Sequence, residues 1–539
     1  IALFESLEEM KGWNETRRRT TSPAAYTVER IRARGSVSEP PSTAWRLGLG
    51  DLHGPLRFIG PEEMREANVS RVADSVTGTW KGHAECGDAF TVTVMWRRAP
   101  DGLWSGELAY DGYNGKLFVE EIHFPVLAGA FSTGSSFVFG GHDSGIVFQG
   151  ATFFKPGAKK RQSYCGGMQF SALINTNGPS FYFDHRDPAV GAKGCEIAIA
   201  KEGGRLTYTG IHVPGLPERP PAAYRIAYTS GFTPFAGGWF EAGQIYKKWG
   251  TAQAWFVNRK AENPLRKIGM WVWNRGLIKD ALPPVERLQK ELGDIPVAVD
   301  WYWWHGNPYD TDYPDFWPPR EGVDAFRAAV ARLQDQGIFA QVYINGVCWD
   351  MDGKTWQEGG EEGVFVQRDG RPRNTAFNRY NHHRLAYMCG EAPKFQDRIA
   401  AVVRHLRESG LNGQYLDMIG NSTMAGRCYN PRHVHPKGGG SFGPDGYRVM
   451  LQRLKRENPV FPLTTEGANE AYMDLMDGSI CCNSTSLERL DAIPMFQSVY
   501  HGSYAFFGNY AYPDGTRPWD PLWPPEDRWK EEKPWHTLY

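Results

Sequence analysis

The sequence predicts a β-sandwich followed by a (β/α)8 barrel of the TIM type. Short alternating apolar and polar runs fill the N-terminal part, apolar runs alternate with amphipathic helices after Lys267, and 539 residues suffice for about three or four domain-sized units. We therefore expect a β-sandwich domain over residues 1–235, a helical connector over 236–266 and a barrel over 267–539. No eighth barrel strand is obvious before the last residue.

The sandwich is predicted from period-two alternation between closely spaced turns. Residues 91–96 and 103–110 are two such runs, and the turn formers Ala-Pro-Asp-Gly at 99–102 separate them. This pattern is typical of antiparallel strands. Further runs occur at residues 136–139, 145–148, 181–183, 196–200, 206–209 and 224–229.

The connector is predicted from a change in period near Trp239. Phe240, Ile245, Tyr246 and Trp249 fall roughly on one face of a short helix. We expect this helix to join the two domains.

The barrel is predicted from strands that alternate with helices. Amphipathic helices end before Gly337 and Gly410, as helices with a C-terminal glycine do. A doubly wound sheet is the alternative, and the lack of a GxGxxG motif after the first strand disfavours it. The expected strands are residues 268–273, 295–301, 339–344, 414–419, 461–465, 479–482 and 493–500.

Composition limits the classes of function that the protein can have. The 60 Lys and Arg residues nearly balance the 61 Asp and Glu residues, so no global field attracts nucleic acid or an anionic membrane. No stretch approaches the roughly 20 apolar residues of a membrane span. The 20 tryptophans favour carbohydrate, because indole rings stack on sugar faces. We expect an oligosaccharide or polysaccharide partner; oligomeric state stays open.

The first residue is Ile1, and neither Met nor a signal-peptide pattern begins the chain. A periplasmic or secreted location is favoured if an export signal was removed.

Two carboxylates stand at expected strand ends, where barrel active sites form. Asp417 interrupts the apolar run 414–419, and Glu466 follows the run 461–465. Adjacent parallel strands lie about 4.8 Å apart, so the two carboxyl groups can approach the roughly 5–5.5 Å of a retaining glycosidase. The structural alternatives are a loop cap or arginine pair for Asp417 and a helix-dipole partner for Glu466.

Other polar and aromatic residues at strand ends are candidates for binding sugar. Carboxylates and amides hydrogen-bond to hydroxyl groups, and aromatic rings stack on the apolar sugar face. Core packing is the alternative for each aromatic residue. The candidates are Asp300, Trp271, Trp273, Trp304, His305, Asn345, Trp349 and Tyr415.

The loop 428–440 is unusual because it holds Cys428, His433 and His435. Three donors at this spacing match no zinc-finger pattern. We therefore expect that no metal binds and that His433 and His435 hydrogen-bond to substrate or backbone. No cofactor is expected.

These motifs resemble known proteins. Cys-Tyr-Asn-Pro-Arg-His-Val-His-Pro-Lys-Gly-Gly-Gly at 428–440, followed by Leu-Thr-Thr-Glu-Gly-Ala-Asn-Glu at 463–470, resembles the bacterial glycoside-hydrolase-like family called domain of unknown function 6259. The resemblance covers about residues 239–512. A sandwich, a tryptophan-rich connector and a barrel with Tyr-Leu-Asp and Thr-Thr-Glu strand ends also resemble the retaining α-glycosidases. These include α-galactosidases, α-glucosidases of the α-xylosidase group and endo-α-N-acetylgalactosaminidases.

In the endo-α-N-acetylgalactosaminidase group, the strand-four Asp is the nucleophile and the strand-five Glu is the acid/base, which the resemblance carries onto Asp417 and Glu466. It implies a glycoside hydrolase that cleaves an α-linked sugar with retention. An inverting glycosidase and a non-catalytic carbohydrate-binding barrel are the alternatives.

Overall fold

The fold is described by a computed structural model. It describes residues 44–507 except 131–133, 142–144, 151–154, 165–166, 177, 202–204, 260–261, 308–309, 377–381, 423–425, 481–491 and 503. Residues 1–43 of the expected sandwich, 481–482 of an expected strand and 508–539 of the expected barrel lie outside the described residues.

The first compact unit contains residues 44–253, 435–441 and 492–499 among those described. The strand at 104–111 buries alternate residues along nearly its whole length, as the period-two pattern predicts. The strands are β1 (Arg46–Gly50), β2 (Arg57–Ile59), β3 (Glu66–Val72), β4 (Ser75–His83), β5 (Gly87–Arg98), β6 (Trp104–Asp111), β7 (Phe118–Ala130), β8 (Ser136–Phe139), β9 (Ile146–Gln149), β10 (Lys159–Ser163), β11 (Phe170–Ile174), β12 (Ser180–Arg186), β13 (Lys193–Ile199), β14 (Arg205–His212), β15 (Gly215–Leu216), β16 (Tyr224–Arg225) and β17 (Thr229–Phe235).

These strands form two large antiparallel sheets. One has the order β10-β13-β14-β7-β1-β2, and the other β3-β4-β5-β6-β17-β12-β11-β8-β9, with β16 pairing to β6. Each of two hydrophobic clusters takes residues from both sheets: Leu47 with Val94 in one, Phe139 with Ile197 in the other. The sheets therefore bury their apolar faces against each other, as in a β-sandwich.

The expected connector helix is α1 (Trp239–Gly250). The Glu241 carboxylate accepts from the backbone N–H of Gly238 at 2.8 Å and so caps the helix start. The buried Tyr246 ring stacks on Phe170 of β11, with ring centroids 4.8 Å apart. The helix thus packs on the first unit.

The second unit contains a parallel sheet of seven strands in the order β18-β19-β20-β24-β26-β27-β28. A small antiparallel sheet of this unit has the order β21-β23-β22. The strands are β18 (Met270–Arg275), β19 (Val297–Tyr302), β20 (Phe339–Asn345), β21 (Cys348–Asp350), β22 (Asn374–Thr375), β23 (Leu385–Tyr387), β24 (Gln414–Asp417), β26 (Leu463–Glu466), β27 (Gly478–Ile480) and β28 (Ala505–Phe507). The remaining strand, β25 (Lys437–Gly438), belongs to the first unit, where it pairs with β15.

The parallel sheet curls into a nearly closed barrel. Trp271 of β18 stacks on Phe507 of β28 with ring centroids 3.8 Å apart, so the first and last strands approach each other. Thr464 of β26 donates to Gln341 of β20 at 3.1 Å although β24 lies between them. This hydrogen bond spans the concave side, so Gln341 and Thr464 point into the barrel.

The barrel differs from expectation at its C-terminal end. The seventh strand is β28, and the expected strand at 493–500 instead contains a helix over Met495–Tyr500. A short apolar run fits a strand or a buried helix equally well, which explains the error. The described residues contain seven parallel strands, and no eighth strand lies among them.

Helices alternate with several of the parallel strands along the chain, and the two helices expected before Gly337 and Gly410 are confirmed. No helix in the described part of the chain is long and apolar enough to cross a membrane. After α1 the helices are α2 (Ala254–Val257), α3 (Ile278–Ala281), α4 (Pro283–Leu292), α5 (Val323–Asp335), α6 (Gly360–Gly363), α7 (Pro393–Glu408), α8 (Ile419–Ser422), α9 (Phe442–Glu457) and α10 (Met495–Tyr500). Short 3-10 helices cover Pro61–Glu63, Pro264–Lys267, Trp356–Glu358 and Glu470–Tyr472.

Candidate active site

Asp417 and Glu466 end two adjacent parallel strands. Leu416 of β24 is aligned with Thr465 of β26, and the next residue on each strand is one of these two carboxylates. Asn345 of β20 is aligned with Asp417 on its other side. Two carboxylates and an amide therefore stand side by side at the C-terminal edge of the barrel, where the sequence analysis expected them.

Three side chains donate hydrogen bonds to the Asp417 carboxylate. The Tyr415 hydroxyl donates to Oδ1 at 2.8 Å, while the Tyr343 hydroxyl and the Asn345 amide donate to Oδ2 at 3.2 and 3.3 Å. Burial raises the pKa of Asp417 to about 6, although the two tyrosine hydroxyls oppose this rise. An acceptor with three donors is best satisfied when it is ionised.

A second carboxylate, Asp310, is linked to Asp417 through two tyrosines. The Tyr313 hydroxyl donates to Asp310 at 2.7 Å and lies 3.0 Å from the Tyr343 hydroxyl, which contacts Asp417. The negative charge of Asp310 is a further cause of the raised pKa of Asp417. Three short oxygen contacts share only two phenolic protons, so this chain can hold one more proton on either carboxyl group.

The segment after β24 positions Glu466. The Asn421 amide donates to Glu466 Oε2 at 2.7 Å. Gly420 lies so close to the end of β26 that a Cβ atom there would stand 1.9 Å from the carbonyl oxygen of Gly467. A side chain at position 420 would push the two strand ends apart. Met418, directly after Asp417, has a φ of +67°, a strained conformation for this residue type.

Asp300 of β19 is fully buried and opposite Gln341. Neither carboxylate oxygen of Asp300 accepts, and the Gln341 Nε2 group does not donate, a hydrogen bond of good geometry among the described residues. Burial, and then the charge of Asp417, raise the pKa of Asp300 well above its usual range, while the neighbouring Gln341 side chain opposes this rise. Buried polar groups without partners are costly, and a ligand with hydroxyl groups would satisfy them.

The aromatic candidates fall into two groups, and the first is half buried on β18. Trp273 packs edge-on against Tyr302 with centroids 5.0 Å apart, and Trp271 stacks on Phe507. These two indoles belong to the same strand and lie on the same face of the sheet as Asp300.

The second group is buried in the protein interior. Trp304 is 1 % exposed and donates its indole N–H to the Tyr343 carbonyl at 2.7 Å. His305 and Trp349 are fully buried, and burial lowers the pKa of His305 to about 3. Trp304 and His305 in the turn after β19 and Trp349 in β21 therefore have almost no exposed surface, which favours the core-packing alternative. Their part in sugar binding stays a prediction.

His433 and His435 contact backbone, as one of the two sequence-based alternatives expected. His433 Nε2 lies 3.0 Å from the Glu362 carbonyl oxygen, and His435 Nδ1 lies 2.8 Å from the Pro436 carbonyl oxygen. His433 also contacts Cys428.

Sequence reasoning missed Tyr343, Tyr313, Asp310 and Asn421. The signal for Tyr343 was present, because it lies two residues before Asn345 and so shares its face of a strand. Asp310 and Tyr313 come from a loop, and the path of a loop cannot be predicted from the periodicity of the sequence.

Comparisons with known proteins agree with this barrel. A protein of Bacteroides thetaiotaomicron named "Putative glycoside hydrolase" is 26 % identical over 367 residues, covering 66 % of this chain and 53 % of that protein. "Putative glycoside hydrolase 22789" of Monosiga brevicollis is 24 % identical over 326 residues, covering 53 % of this chain and 27 % of that protein. The chain thus spans about half of the first relative and a quarter of the second.

Solved structures show the same fold at low identity. An α-N-acetylgalactosaminidase from Bifidobacterium bifidum, in complex with Gal-NHAc-DNJ, has a TM-score of 0.63 at 14 % identity and covers 86 % of this chain and 78 % of its own. A GH36 α-galactosidase from Geobacillus stearothermophilus, in complex with raffinose, has a TM-score of 0.50 at 12 % identity and covers 87 % and 68 %.

One family model matches the chain itself. It is described as Domain of unknown function (DUF6259) and matches residues 224–512, more than half of the 539 residues. The match includes both strand-end carboxylates and every side chain that contacts Asp417. The chain belongs to the DUF6259 family.

Proposed function

We propose that the protein is a retaining glycoside hydrolase that cleaves an α-linked sugar, with Asp417 as nucleophile and Glu466 as acid/base. The observation that carries the proposal is the register of β24 and β26, which ends both strands in a carboxylate. Neighbouring parallel strands lie about 4.8 Å apart, which suits the roughly 5–5.5 Å carboxyl separation of retention. The names of the relatives support hydrolysis.

Asp417 suits the nucleophile because its partners favour the charged form. Its oxygen attacks the anomeric carbon as the bond to the leaving oxygen breaks, and a glycosyl ester forms. The hydrogen bonds from Tyr415, Tyr343 and Asn345 hold the carboxylate in one orientation.

Glu466 gives its proton to the leaving oxygen in the first step. In the second step its carboxylate takes a proton from water, whose oxygen attacks the anomeric carbon and releases Asp417. The Asn421 amide donates to Oε2 of Glu466 and so orients the carboxyl group that handles this proton. No step needs a cofactor.

Substrate binding is assigned to Asp300 and the β18 indoles. The unsatisfied Asp300 oxygens accept hydrogen bonds from sugar hydroxyls, and Trp273 or Trp271 offers an aromatic face. The substrate is an oligosaccharide or polysaccharide. An eighth strand that closes the barrel is part of this proposal.

The raised pKa of Asp417 favours a second assignment, in which Asp417 is the acid and Glu466 the nucleophile. The three donors to Asp417 argue against it, because a protonated carboxyl accepts them less well. Inversion and simple sugar binding are the remaining alternatives.

Product stereochemistry separates retention, inversion and simple sugar binding. The purified protein is offered a panel of aryl α- and β-glycosides that includes α-galactoside and α-N-acetylgalactosaminide, and proton NMR follows the first-formed sugar anomer. Retention predicts cleavage of an α-glycoside with the α-anomer appearing first. A β-anomer would show inversion, and no cleavage of any member, with sugar binding intact, would favour the binding protein.

A further inference from the structure

The small antiparallel sheet β21-β23-β22 is inserted between β20 and α7, and such insertions after barrel strands build active sites. Cys348 of β21 is directly opposite Tyr387 of β23. On the other side of β23, the Tyr387 N–H donates to the Arg373 carbonyl oxygen at 2.9 Å, next to the paired residues of β22. Directly opposite residues of antiparallel strands share one face of a sheet. Cys348, Tyr387 and Arg373 therefore form a row on one face.

The inner end of this row contacts the end of β24. The Cys348 N–H donates to Asn345 Oδ1 at 2.8 Å, and the Asn345 amide in turn donates to Asp417. The Cys348 sulfur lies 3.9 Å from the sulfur of Met418, the residue after Asp417. The row therefore begins at the C-terminal edge of the barrel, beside the proposed nucleophile.

The middle of the row lies near the proposed acid/base. Burial, and then the neighbouring Cys348, raise the pKa of Tyr387; the charge of Glu466 adds to this rise, and the charge of Arg373 opposes it. The Tyr387 hydroxyl is therefore within the electrostatic reach of both the Glu466 carboxylate and the Arg373 guanidinium.

The outer end of the row is a guanidinium group held against an aromatic ring. The guanidinium carbon of Arg373 lies 4.3 Å from the centre of the Tyr387 ring, which is a cation–π contact. Both side chains are partly exposed. Arg373 forms no ion pair with a carboxylate in the part of the chain that the structure describes, whereas Arg371 lies 3.7 Å from Asp369. The ring thus orients a cation whose charge is available to an anion from outside the protein.

We propose that Arg373 and Tyr387 bind the leaving group of the substrate and that this group carries a carboxylate, as a uronic acid does. The inference rests on the proposed hydrolase function, because an acid/base at Glu466 must contact the leaving oxygen. In the sheet order, β24 lies between β26, which carries Glu466, and β19, which carries Asp300. Groups beside Glu466 are therefore on the side away from Asp300, where the leaving group lies. A guanidinium fork matches a carboxylate with two parallel hydrogen bonds.

The competing explanation is that the contact between Arg373 and Tyr387 only stabilises the small sheet. Substitution of Arg373 would then lower the melting temperature, or change kcat/KM equally for charged and neutral leaving groups. A carboxylate site instead predicts a loss that depends on the charge of the leaving group.

The kinetic test uses two leaving groups of nearly equal size. The α-glycoside that the panel identifies is prepared with a 4-nitrophenyl group bearing either a carboxylate or a carboxamide at its 3-position. Arg373→Gln should lower kcat/KM for the carboxylate at least about tenfold, mainly through KM, and change the carboxamide value less than about twofold. Arg371→Gln, the matched control two residues away, should leave both values unchanged. Each variant is compared with the wild type on the same substrate, so the difference in leaving-group acidity cancels.

Binding of the leaving group alone provides a readout that needs no turnover. Isothermal titration at low ionic strength, where screening is weak, compares 5-hydroxy-2-nitrobenzoate with its neutral amide, 5-hydroxy-2-nitrobenzamide. The wild type should bind the benzoate more tightly than the amide. Arg373→Gln and Tyr387→Leu should each weaken benzoate binding at least about tenfold, whereas Tyr387→Phe keeps the ring and should bind as the wild type does. Melting temperatures show whether each variant is folded.

Equal affinity of the wild type for the two compounds, equal losses for both in Arg373→Gln, or the same loss in Arg371→Gln would overturn the proposal. The result is separate from that for the hydrolase. If the benzoate preference depends on Arg373 but no α-glycoside is cleaved, the proposed function fails and the carboxylate site stands. Cleavage without any preference for the charged leaving group would show the reverse.

Discussion

The Tyr415 hydroxyl donates a 2.8 Å hydrogen bond to Oδ1 of Asp417, two residues further along the same strand. Residues two apart on a strand face the same side, so β24 itself supplies both the carboxylate and its strongest donor. This hydrogen bond opposes the effect of burial, which raises the pKa of Asp417 to about 6. The ionisation of Asp417 is therefore set by identifiable neighbours.

Removal of the Tyr415 hydroxyl should move the acid limb of the pH dependence of kcat/KM to higher pH. A nucleophile must be ionised, so kcat/KM should fall as the pH drops below about 6. Tyr415→Phe removes a hydrogen bond to a charged group, worth about 1.5–3 kcal/mol, and should shift this limb up by about one to two pH units. An unchanged limb would show that Asp417 does not control it.

Removal of the charge on Asp310 should move the acid limb of kcat/KM to lower pH. Asp310 raises the pKa of Asp417, and Asp310→Asn removes the charge while its amide oxygen still accepts from Tyr313. The acid limb of kcat/KM should shift down by up to about one pH unit. The control is Asp294→Asn, an exposed position, which should leave the profile unchanged.

Asp300→Asn should weaken catalysis while it stabilises the fold. The pKa of Asp300 is raised on folding, so its carboxylate destabilises the folded state increasingly as pH rises above the unfolded value of about 4. The melting temperature of the variant should therefore exceed that of the wild type at pH 8, and the gain should vanish near pH 4. Replacement of one acceptor oxygen by an NH2 donor should mismatch a sugar hydroxyl and lower kcat/KM at least tenfold. A lower melting temperature at pH 8 would contradict this account of Asp300.

Trp304 should behave as a core residue. It is 1 % exposed and its indole donates to the Tyr343 carbonyl, so Trp304→Ala should cost about 3–5 kcal/mol of folding free energy. Trp304→Phe keeps most of the bulk and should fold with nearly unchanged KM. Denaturant unfolding and steady-state kinetics check both points; a large KM increase in a stable Trp304→Phe protein would place this ring at the substrate.

The regular parts of this protein could be predicted from sequence. Strand and helix periods identified β20, β24, α5 and α7, and the rule that barrel sites gather at strand ends selected Asp417 and Glu466. The errors arose where periodicity carries no information. The run 493–500 contains a helix instead of the expected strand. The burial of Trp304 and His305 depends on the conformation of the turn after β19, which no period describes.

Contacts between residues that are distant in the chain could not be predicted for a different reason. Asn421 contacts Glu466 because Gly420 permits a close approach of two strand ends, and Cys389 and Cys428 share one hydrophobic cluster although they are distant in the chain. Such contacts depend on tertiary packing between segments that no local pattern connects.

The most direct test of the central claim is azide rescue of Asp417→Ala and Glu466→Ala with an activated aryl α-glycoside. Without Glu466 the first step still proceeds, because the leaving group needs no acid, but no base activates water for the second. Azide should accelerate Glu466→Ala and give the α-glycosyl azide. With Asp417→Ala it attacks the substrate directly, so any product should be the β-azide. Exchanged configurations, or identical responses of the two variants, would contradict the assignment.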